Sequence, residues 1–503
     1  MVLTKGWLGL FLIVYGTRVA AQQGEPITIT NADALTYNEA SGSKAKHLVG
    51  NVVLQQRDVT LICDNADFDQ EKNVVDATGN VHIKQADTIN IYGDQLHYDG
   101  NSKMAQLTKN VRLTNTHMVL TTEVLNYDLN TRIASYLQQG TIVNDSAVLT
   151  SNHGYYFATT GDVYFKKDVK LAHPDYILNT DTLRYNVNSK TAFFLSPTTI
   201  TGDSFNVYCE GGYYNTADDI AQFEKHARLV RPPQALSADT IYYERINGFG
   251  FARSKMKMVD SSSQVTLTGN FAEYFDKHKT VLATGHPLMV AVMDTDSMYM
   301  RADTFYTTLD SSDKYRSIYA YHHVKIFKSD LQGICDSISY SDTDSTFRLF
   351  RNPALWVDNN QLTADTMWFQ LRNKTLYKME LIQNAFAANQ ADSTVAELFN
   401  QVQGKNMYGY FDKGELRKME CIGNGESVYY AKDDSSRFIG VNKAVCSNIT
   451  IHFEDKKVDR IYFITQPDAT FFPLDQFPAE ESRLKNFEWL IDKKPKSKED
   501  LLK

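Results

Sequence analysis

The 503-residue sequence has little of several features that would place it in a common functional class. Its 11 prolines are few for its length, which suits strands, and the last long apolar run ends near Tyr15. The formal net charge is -8, and no basic patch occurs before the final residues. Nucleic-acid binding is therefore not expected, because it depends on clustered Lys and Arg.

Motifs of catalysis are missing as well. The sequence has no His-Glu-x-x-His, no Gly-x-Ser-x-Gly and no glycine loop of the kind that cradles phosphate. The 12 histidines are scattered, so neither a metal site nor a cofactor site is predicted. We therefore expect a protein that is not an enzyme.

Cysteines are few, and their number is odd: Cys63, Cys209, Cys335, Cys421 and Cys446. An odd count excludes complete pairing within one chain. The favoured interpretation is that they are small buried apolar residues in strands. A disulfide between Cys421 and Cys446 is the alternative, and an oxidising compartment would permit it.

The first residues have the pattern of a secretory signal. Lys5 precedes an apolar run from Trp7 to Tyr15, and small residues at Val19-Ala20-Ala21 form a cleavage site. We predict a signal peptide over residues 1–21, a mature chain that begins at Gln22, no membrane span after cleavage, and a periplasmic location.

A five-residue phrase recurs along the chain: an acid or Asn, any residue, an apolar residue, any residue, then Tyr or Phe. Clear copies begin at Asp33, Asp64, Asp94, Glu123, Asp181, Asp239, Asn270, Asp336 and Asp365, and weaker ones at Asn152, Glu210, Asp303, Asn406 and Asn448. The first four begin at positions 33, 64, 94 and 123, a step of about 30 residues. A constant step of this size indicates a repeat architecture.

A second phrase follows each copy and begins with a turn residue, as in Gly50-Asn51-Val52 and Gly79-Asn80-Val81. Apolar residues alternate after it, so each unit is predicted to hold two strands separated by a turn. Further turns are predicted at 99–101, 128–130 and 186–188, where Asp, Gly and Asn favour tight reversals. The recurrent acids are interpreted either as turn and strand-end residues or as a charged rim.

The repeats divide the mature chain into regions. Residues 22–172 hold the cleanest copies, 173–330 continue them with drift, and 331–465 are degenerate. Residues 466–503 are rich in Pro and Phe and end in a basic stretch that we expect to be mobile. Leu484, Phe487 and Leu490 have helical spacing and predict a helix over 479–492. This tail either covers the end of the strand stack or is a disordered terminus with one packed helix.

The apolar residues of both phrases should line one continuous face. They include Leu35, Tyr37, Val52, Leu54, Phe68, Val81, Ile83, Leu96, Tyr98, Val111, Leu113, Leu125, Tyr127, Leu183 and Tyr185. Such a face either fills a core between two sheet walls or lines an open trough for long apolar molecules. The pattern alone does not distinguish the two.

Together the two phrases resemble the OstA-like, or LptA-like, family of organic-solvent-tolerance proteins. Ala66-Asp67-Phe68 followed by Gly79-Asn80-Val81 carries the resemblance, as does Asp94-x-Leu96-x-Tyr98 followed by Asn110-Val111. It is strongest over residues 27–171 and continues weakly to about 465. It implies an all-β fold, an open jelly roll made of a folded-over antiparallel sheet, elongated as a solenoid of about 30-residue repeats, with a short C-terminal helix added here.

The resemblance also implies a function. Family members are periplasmic, bind the lipid part of lipopolysaccharide inside the fold, and stack end to end into a bridge toward the outer membrane. This chain would be a long, soluble member without the family's outer-membrane barrel. Its expected partners are lipopolysaccharide or another acylated lipid and, through end-strand pairing, other bridge proteins. The alternative is a structural or adhesive β-repeat protein with a filled core and no lipid ligand.

Overall fold

The computed structural model describes residues 25–37, 45–86, 89–115, 118–144, 147–293, 296–310, 316–373, 375–392, 395, 397–433, 435, 437–455 and 457–502. The signal peptide predicted over residues 1–21 lies outside them. The chain divides into two compact units. Unit 1 holds residues 1–174 and 184–188, and unit 2 holds residues 175–183 and 189–503.

Unit 1 is built from antiparallel strands. They are β1 Thr28–Asn31, β2 Ala34–Tyr37, β3 Ala45–Gln56, β4 Val59–Asp69, β5 Val74–Gln85, β6 Ile89–Asp99, β7 Met104–Thr114, β8 Val119–Asp128, β9 Ile133–Tyr136, β10 Gly140–Asn144, β11 Ala147–Ser151, β12 His153–Phe157 and β13 Asp162–His173. The strand β14, Tyr176–Asn186, is divided between the units. Hairpins join neighbouring strands at the predicted reversals, where the Asp99 carboxylate accepts from the Asn101 N–H at 2.9 Å and Asp128 does the same for Asn130.

Unit 2 continues with antiparallel strands. They are β15 Thr191–Phe194, β16 Thr198–Gly202, β17 Asn206–Cys209, β18 Gly211–Asn215, β19 Ile220–Arg231, β20 Gln234–Glu244, β21 Phe249–Asp260, β22 Val265–Phe275, β23 Thr280–Thr284, β24 Leu288–Met293, β25 Asp296–Arg301, β26 Thr304–Leu309, β27 Arg316–Lys328, β28 Leu331–Ser341, β29 Thr346–Phe350, β30 Ala354–Val357, β31 Asn360–Thr363, β32 Thr366–Arg372, β33 Thr375–Gln390, β34 Phe399–Asp412, β35 Glu415–Lys432, β36 Phe438–Glu454, β37 Lys457–Ile464 and β38 Asp468–Phe472. Short 3-10 helices occur at Asp276–His278, Leu474–Gln476, Ala479–Glu481, Ile491–Lys493 and Lys498–Leu502. The prediction of an all-β, folded-over antiparallel fold is confirmed.

The second phrase of the repeat is a corner inside a strand. In β3, Gly50 and Asn51 both have positive φ, and the pairing with β4 shifts between Val49 and Val52. The prediction of a turn between two separate strands was therefore wrong for this strand, because the chain bends and continues. A Cβ on Gly50 would lie 2.4 Å from the Asp33 carboxylate, which explains the glycine.

The recurrent acids lie at the same corners. Asp33, Asp64 and Asp94 accept hydrogen bonds from the side-chain amides of the corner residues Asn51, Asn80 and Asn110, at 2.9, 2.8 and 2.7 Å. In unit 2 several corner donors are charged or titratable: Lys255 pairs with Asp239, His323 with Asp303 and His226 with Glu210. The corner of β33 keeps an amide donor, because Asn384 donates to Asp365 at 3.0 Å. The acids thus stabilise the bends of the sheet.

The corners fold each unit into two walls that share one interior. We name the wall that carries the Tyr or Phe of the repeat phrase the aromatic wall, and the other the companion wall. Side chains on both sides of a corner face the same core: Ala252 precedes the corner of β21, Met256 follows it, and both belong to one buried cluster. Every strand that crosses a corner therefore contributes to both walls.

The C-terminal tail packs along the outer face of the companion wall of unit 2. Two buried glutamines hold its backbone: Gln401 bonds to Ser482 and Leu484, and Gln361 bonds to Glu488 and Leu490, at 2.6–2.9 Å. Between these anchors the chain makes a turn in which the Phe487 N–H donates to the Leu484 carbonyl at 3.0 Å. The single helix predicted over residues 479–492 is therefore replaced by this turn and by the 3-10 turns at its ends. The basic end is also packed, with Leu501 fully buried.

Candidate functional site

The interior of unit 1 is lined by Leu and Ile and is closed. Its companion-wall row, paired strand to strand, is Leu54, Leu61, Ile83, Ile91, Leu113, Leu120, Ile142 and Leu149. Its aromatic-wall row is Leu48, Ala66, Ala77, Leu96, Leu107 and Leu125. None of these side chains is more than 7% exposed, so the two walls fill the space between them.

A row of cross-wall hydrogen bonds closes unit 1. The Tyr98 hydroxyl, at the free margin of the aromatic wall, donates to Gln56 at the margin of the companion wall. One repeat later the Tyr127 hydroxyl donates to Gln85 at 2.5 Å. The glutamine amides also donate to turn carbonyls of the aromatic wall, Gly100 at 2.9 Å and Leu129 at 3.2 Å. We call these Tyr–Gln contacts the seam.

A third copy of the seam uses asparagine, because the Asn115 amide donates to the Tyr156 hydroxyl at 2.8 Å. Burial raises the pKa of Tyr98, Tyr127 and Tyr156, so all three phenols stay protonated at any physiological pH. Both seam glutamines are buried, and a buried amide must be paired to avoid a penalty of about 1–3 kcal/mol. The seam is therefore a stable part of the folded unit.

The same phrase makes different contacts in unit 2. The hydroxyl of Tyr214 donates to Asp219 at 2.8 Å, and that of Tyr274 donates to Asp276 at 2.9 Å. Both acids lie in the adjoining hairpin turn of the aromatic wall itself. Burial, followed by the hydrogen bond to Asp276, raises the pKa of Tyr274 to about 12. At these two positions the tyrosines therefore stabilise one wall and do not tie it to the other.

The interior of unit 2 is apolar: its aromatic-wall row is buried except at Phe463, whereas several residues of its companion-wall row are only partly buried. Its companion-wall row begins Leu229, Leu236, Met258, Leu267, Met289, Met300 and Ile326. Its aromatic-wall row runs Ile241, Ala252, Ala272, Ala283, Phe305, Ala320, Ile338, Leu349, Met367, Leu381, Met407, Cys421, Ile449 and Phe463. Leu229, Leu236, Met258, Met289 and Phe463 pack against the core cluster yet remain partly exposed.

Aromatic residues extend this half-exposed lining. Phe347 and Phe369 pair across adjacent strands of the aromatic wall, and both pack against the core cluster without being fully buried. A groove of about 620 Å³ lies at the final strands and is lined by side chains from both faces of β37, Ile461 and Phe463 from one face and Tyr462 and Ile464 from the other. Apolar side chains that stay partly in contact with water can gain stability by covering themselves with an apolar ligand.

The predicted lining residues fall into three groups. Val52, Leu54, Phe68, Val81, Ile83, Leu96, Tyr98, Val111, Leu113, Leu125, Tyr127 and Leu183 are all at most 3% exposed. Leu35 and Tyr37 are 50% and 48% exposed in β2, a strand that pairs with β3. Tyr185 is half-buried. Their role in lipid binding stays a prediction.

Sequence reasoning missed the half-exposed residues of unit 2, in particular Met258, Met289, Met298, Phe347 and Phe369. One signal could have found part of this set: ten of the 13 methionines lie between positions 256 and 419. Methionine is common where an apolar surface must adapt its shape.

The cysteines are not reactive groups. All five are free and buried, as the favoured interpretation predicted, and no disulfide joins Cys421 to Cys446. The Cys421 thiol donates to the Gln403 carbonyl at 3.1 Å. Burial raises the pKa of Cys63, Cys335 and Cys421 to about 12, so these thiols stay protonated.

Metal-ligand clusters and membrane-spanning helices are both absent from the described residues. In the part of the chain that the structure describes, no three His, Cys, Asp or Glu side chains are grouped as metal ligands would be. Within the same residues, no helix has the length and apolar character that crossing a bilayer requires.

Comparison with known proteins gives a family. The sequence profile described as "OstA-like protein" matches residues 25–181 and again residues 182–284, more than half of the chain. Among solved structures the chain is similar to LptH of Pseudomonas aeruginosa, described as the LptA-homologous periplasmic component of the lipopolysaccharide transport device. That match has 18% identity and a TM-score of 0.19, and covers 22% of this chain and 75% of LptH. No curated protein matches. The matched residues include the phrases that carried the resemblance, and the chain belongs to the OstA-like family.

Proposed function

We propose that this protein is a periplasmic carrier or bridge for an acylated lipid, of which lipopolysaccharide is the leading candidate, and that acyl chains lie between the two walls of unit 2. The observation that supports this most is the companion-wall row of unit 2, which is apolar from strand to strand and in which Leu229, Leu236, Met258 and Met289 are partly exposed. Membership of the OstA-like family supports the same function.

The energetics of such binding are favourable. Covering a CH₂ group is worth about 0.8 kcal/mol, so a chain of about twelve carbons would gain roughly 8–10 kcal/mol before ordering costs. No covalent step is needed: the walls exclude water, and the lipid head group stays at the margin. At that margin of the aromatic wall, Asp219 and Asp276 are paired with Arg245 and Lys279, whose cations can face an acidic head group.

Exposed terminal strands support a bridge. β2 pairs with β3, and β37 and β38 both pair with β36. β2 and β38 are largely exposed. Such strands offer backbone groups to which another sheet can add. End-strand pairing with further bridge proteins is thus part of the proposal.

A paired substitution tests the proposed function. Met258 faces the interior, whereas its neighbour Val259 faces outward on the same strand. The purified full chain is titrated with lipopolysaccharide and with a fluorescent fatty acid. We expect Met258→Asp to weaken binding at least tenfold and Val259→Asp to leave it within twofold. Absence of binding by the wild type, or an equal loss in both variants, would overturn the proposal.

A structural protein with a filled core is the second candidate, and the closed interior of unit 1 favours it for that unit. The Leu and Ile rows there are buried, and the seam joins the walls. If unit 2 has the same role, Met258→Asp will unfold the strands around β21, and no lipid will bind. Hydrogen exchange measured on both variants separates the two candidates.

A further inference from the structure

The methionines of unit 2 form a connected surface inside the fold. Met258, Met289 and Met300 lie in one row of the companion wall, with Leu267 between the first two. Met256, two positions before Met258 in β21, is buried in the same core cluster. Met298, in β25, packs against that cluster. Thioether side chains thus lie on three of four adjacent strands, in a patch about 15 Å across.

The aromatic wall of this stretch carries small residues. Ala252, Ala272, Ala283 and Ala320 occupy one inner row, interrupted by Phe305. These alanines belong to the same core cluster as Met256 and Met300. An alanine row leaves space above its wall, and long, unbranched side chains from the companion wall reach into it.

Unit 1 provides the contrast. The equivalent companion-wall row there is Leu54, Leu61, Ile83, Ile91 and Leu113, and each of them is at most 4% exposed. Branched Leu and Ile side chains have few rotamers and hold one shape. Met has three rotatable side-chain bonds and a polarisable sulfur, so it fills irregular gaps and repacks at low cost.

We propose that the methionines of unit 2 make its interior a conformable acyl-chain site, which accepts straight and methyl-branched saturated chains of different lengths with similar affinity. The inference rests on the proposed function and adds a ligand class and the residues that set it: Met258, Met289 and Met298. These three are the half-buried methionines of the patch and are therefore the ones that a ligand would contact.

The inference predicts a particular change in ligand range. Leu has nearly the volume and apolarity of Met, so replacing all three residues by Leu should preserve the fold. In a displacement assay with a fluorescent fatty acid, the wild type should bind dodecanoic, hexadecanoic and 14-methylpentadecanoic acids within about tenfold of one another. The Met258→Leu, Met289→Leu, Met298→Leu variant should keep its best ligand within threefold and lose at least tenfold more affinity for the others. Met104→Leu is the matched control, because Met104 is exposed at the start of β7 in unit 1, outside the proposed site.

Limited oxidation gives a second measurement on the unaltered protein. Hydrogen peroxide transfers one oxygen atom to a thioether sulfur, which leaves a sulfoxide and water. Met258, Met289 and Met298 should oxidise faster than Met407, which is fully buried, and bound fatty acid should slow their oxidation at least threefold. Mass spectrometry of the peptides measures each site.

The outcomes separate two failures. If the wild type binds no fatty acid and no lipopolysaccharide, the proposed function fails, and this inference fails with it. If the wild type binds but the triple variant has the same ligand range, or bound lipid leaves the three oxidation rates unchanged, the methionines do not set the site. In that case the carrier function stands and the conformable site is overturned.

Discussion

Units 1 and 2 share a repeat phrase and a corner, and they differ in what fills the interior. In unit 1, Leu and Ile rows meet, and the seam joins the walls at their margins. In unit 2, Met and Ala replace many of these residues, and Tyr214 and Tyr274 bond within their own wall. The comparison teaches that one backbone repeat can yield a fully buried core or a core whose companion wall stays partly exposed, according to a few side chains.

The largest expected effect comes from a charge placed in each interior. Leu125 is fully buried in unit 1, so Leu125→Asp would bury a carboxylate without a partner. We expect a loss of about 4 kcal/mol or more in the free energy of opening of β7 and β8. Met258→Asp, at a half-exposed position in unit 2, should cost less than half as much. Hydrogen exchange of the affected strands gives both values, and equal losses would remove the distinction between the units.

Removing one seam hydroxyl should have a smaller effect. Tyr127→Phe leaves the buried Gln85 oxygen without its donor, which should cost about 1–3 kcal/mol in the opening of unit 1. Tyr274→Phe removes a bond at the half-buried margin of unit 2 and should cost about 0.5–1 kcal/mol. Exchange rates in β5 to β8 and in β21 to β23 report the two changes. A larger effect at Tyr274 would show that the seam does not hold the walls together.

Salt should distinguish one corner of unit 1 from one corner of unit 2. The Asn110–Asp94 corner is an amide hydrogen bond with one charged partner, whereas the Lys255–Asp239 corner is an ion pair with both side chains exposed. Raising the ionic strength should weaken the Lys255–Asp239 ion pair by up to about 0.5 kcal/mol. It should leave the Asn110–Asp94 hydrogen bond nearly unchanged. Exchange of the amides that flank each corner, measured at low and at high salt, tests this. Equal sensitivity would contradict the assignment.

A further expected effect appears only in acid and is confined to one turn of unit 2. Hydrogen bonds from Ser262, Ser263 and Gln234 outweigh burial and lower the pKa of Asp260 to about 2. Its contribution to stability is complete above the unfolded pKa near 4 and is lost as the pH falls toward 2. Asp260→Asn should remove this acid dependence and change little at neutral pH, because Asn215 forms the same kind of turn with an amide. Hydrogen exchange of the amides in this turn, followed from pH 5 to pH 2, measures the loss of stability. If the Asp260→Asn variant kept the same pH dependence as the wild type, the prediction would be contradicted.

Periodicity predicted most of the architecture from the sequence. Alternation located the strands, and the Asp99 and Asp128 turns are where their Asp, Gly and Asn residues indicated. At Gly50-Asn51 the sequence predicts a reversal, because a turn and a bend inside a strand both require positive φ. The distinction depends on whether the chain pairs again with the same neighbouring strand after the bend. The sequence alone does not show this pairing.

The tail and the interior were harder to predict for a related reason. Leu484, Phe487 and Leu490 have helical spacing, but Gln361 and Gln401, from distant strands, bond to the backbone and hold it in a non-helical form. Likewise, alternation shows which side chains face inward but not whether the opposite wall reaches them. The seam and the methionine patch join residues that are dozens of positions apart, so only the folded chain reveals them.

The most direct test of the account is to map where an acyl chain lies. A fatty acid that carries a photoreactive diazirine on its chain is bound to the full protein, irradiated, and located by peptide mass spectrometry. The account predicts labels on inner residues of unit 2, such as Met258, Met289 and Phe347, and none on the interior of unit 1. Labelling of Leu96 or Leu125 in unit 1, or of outward-facing residues such as Val259, would contradict it.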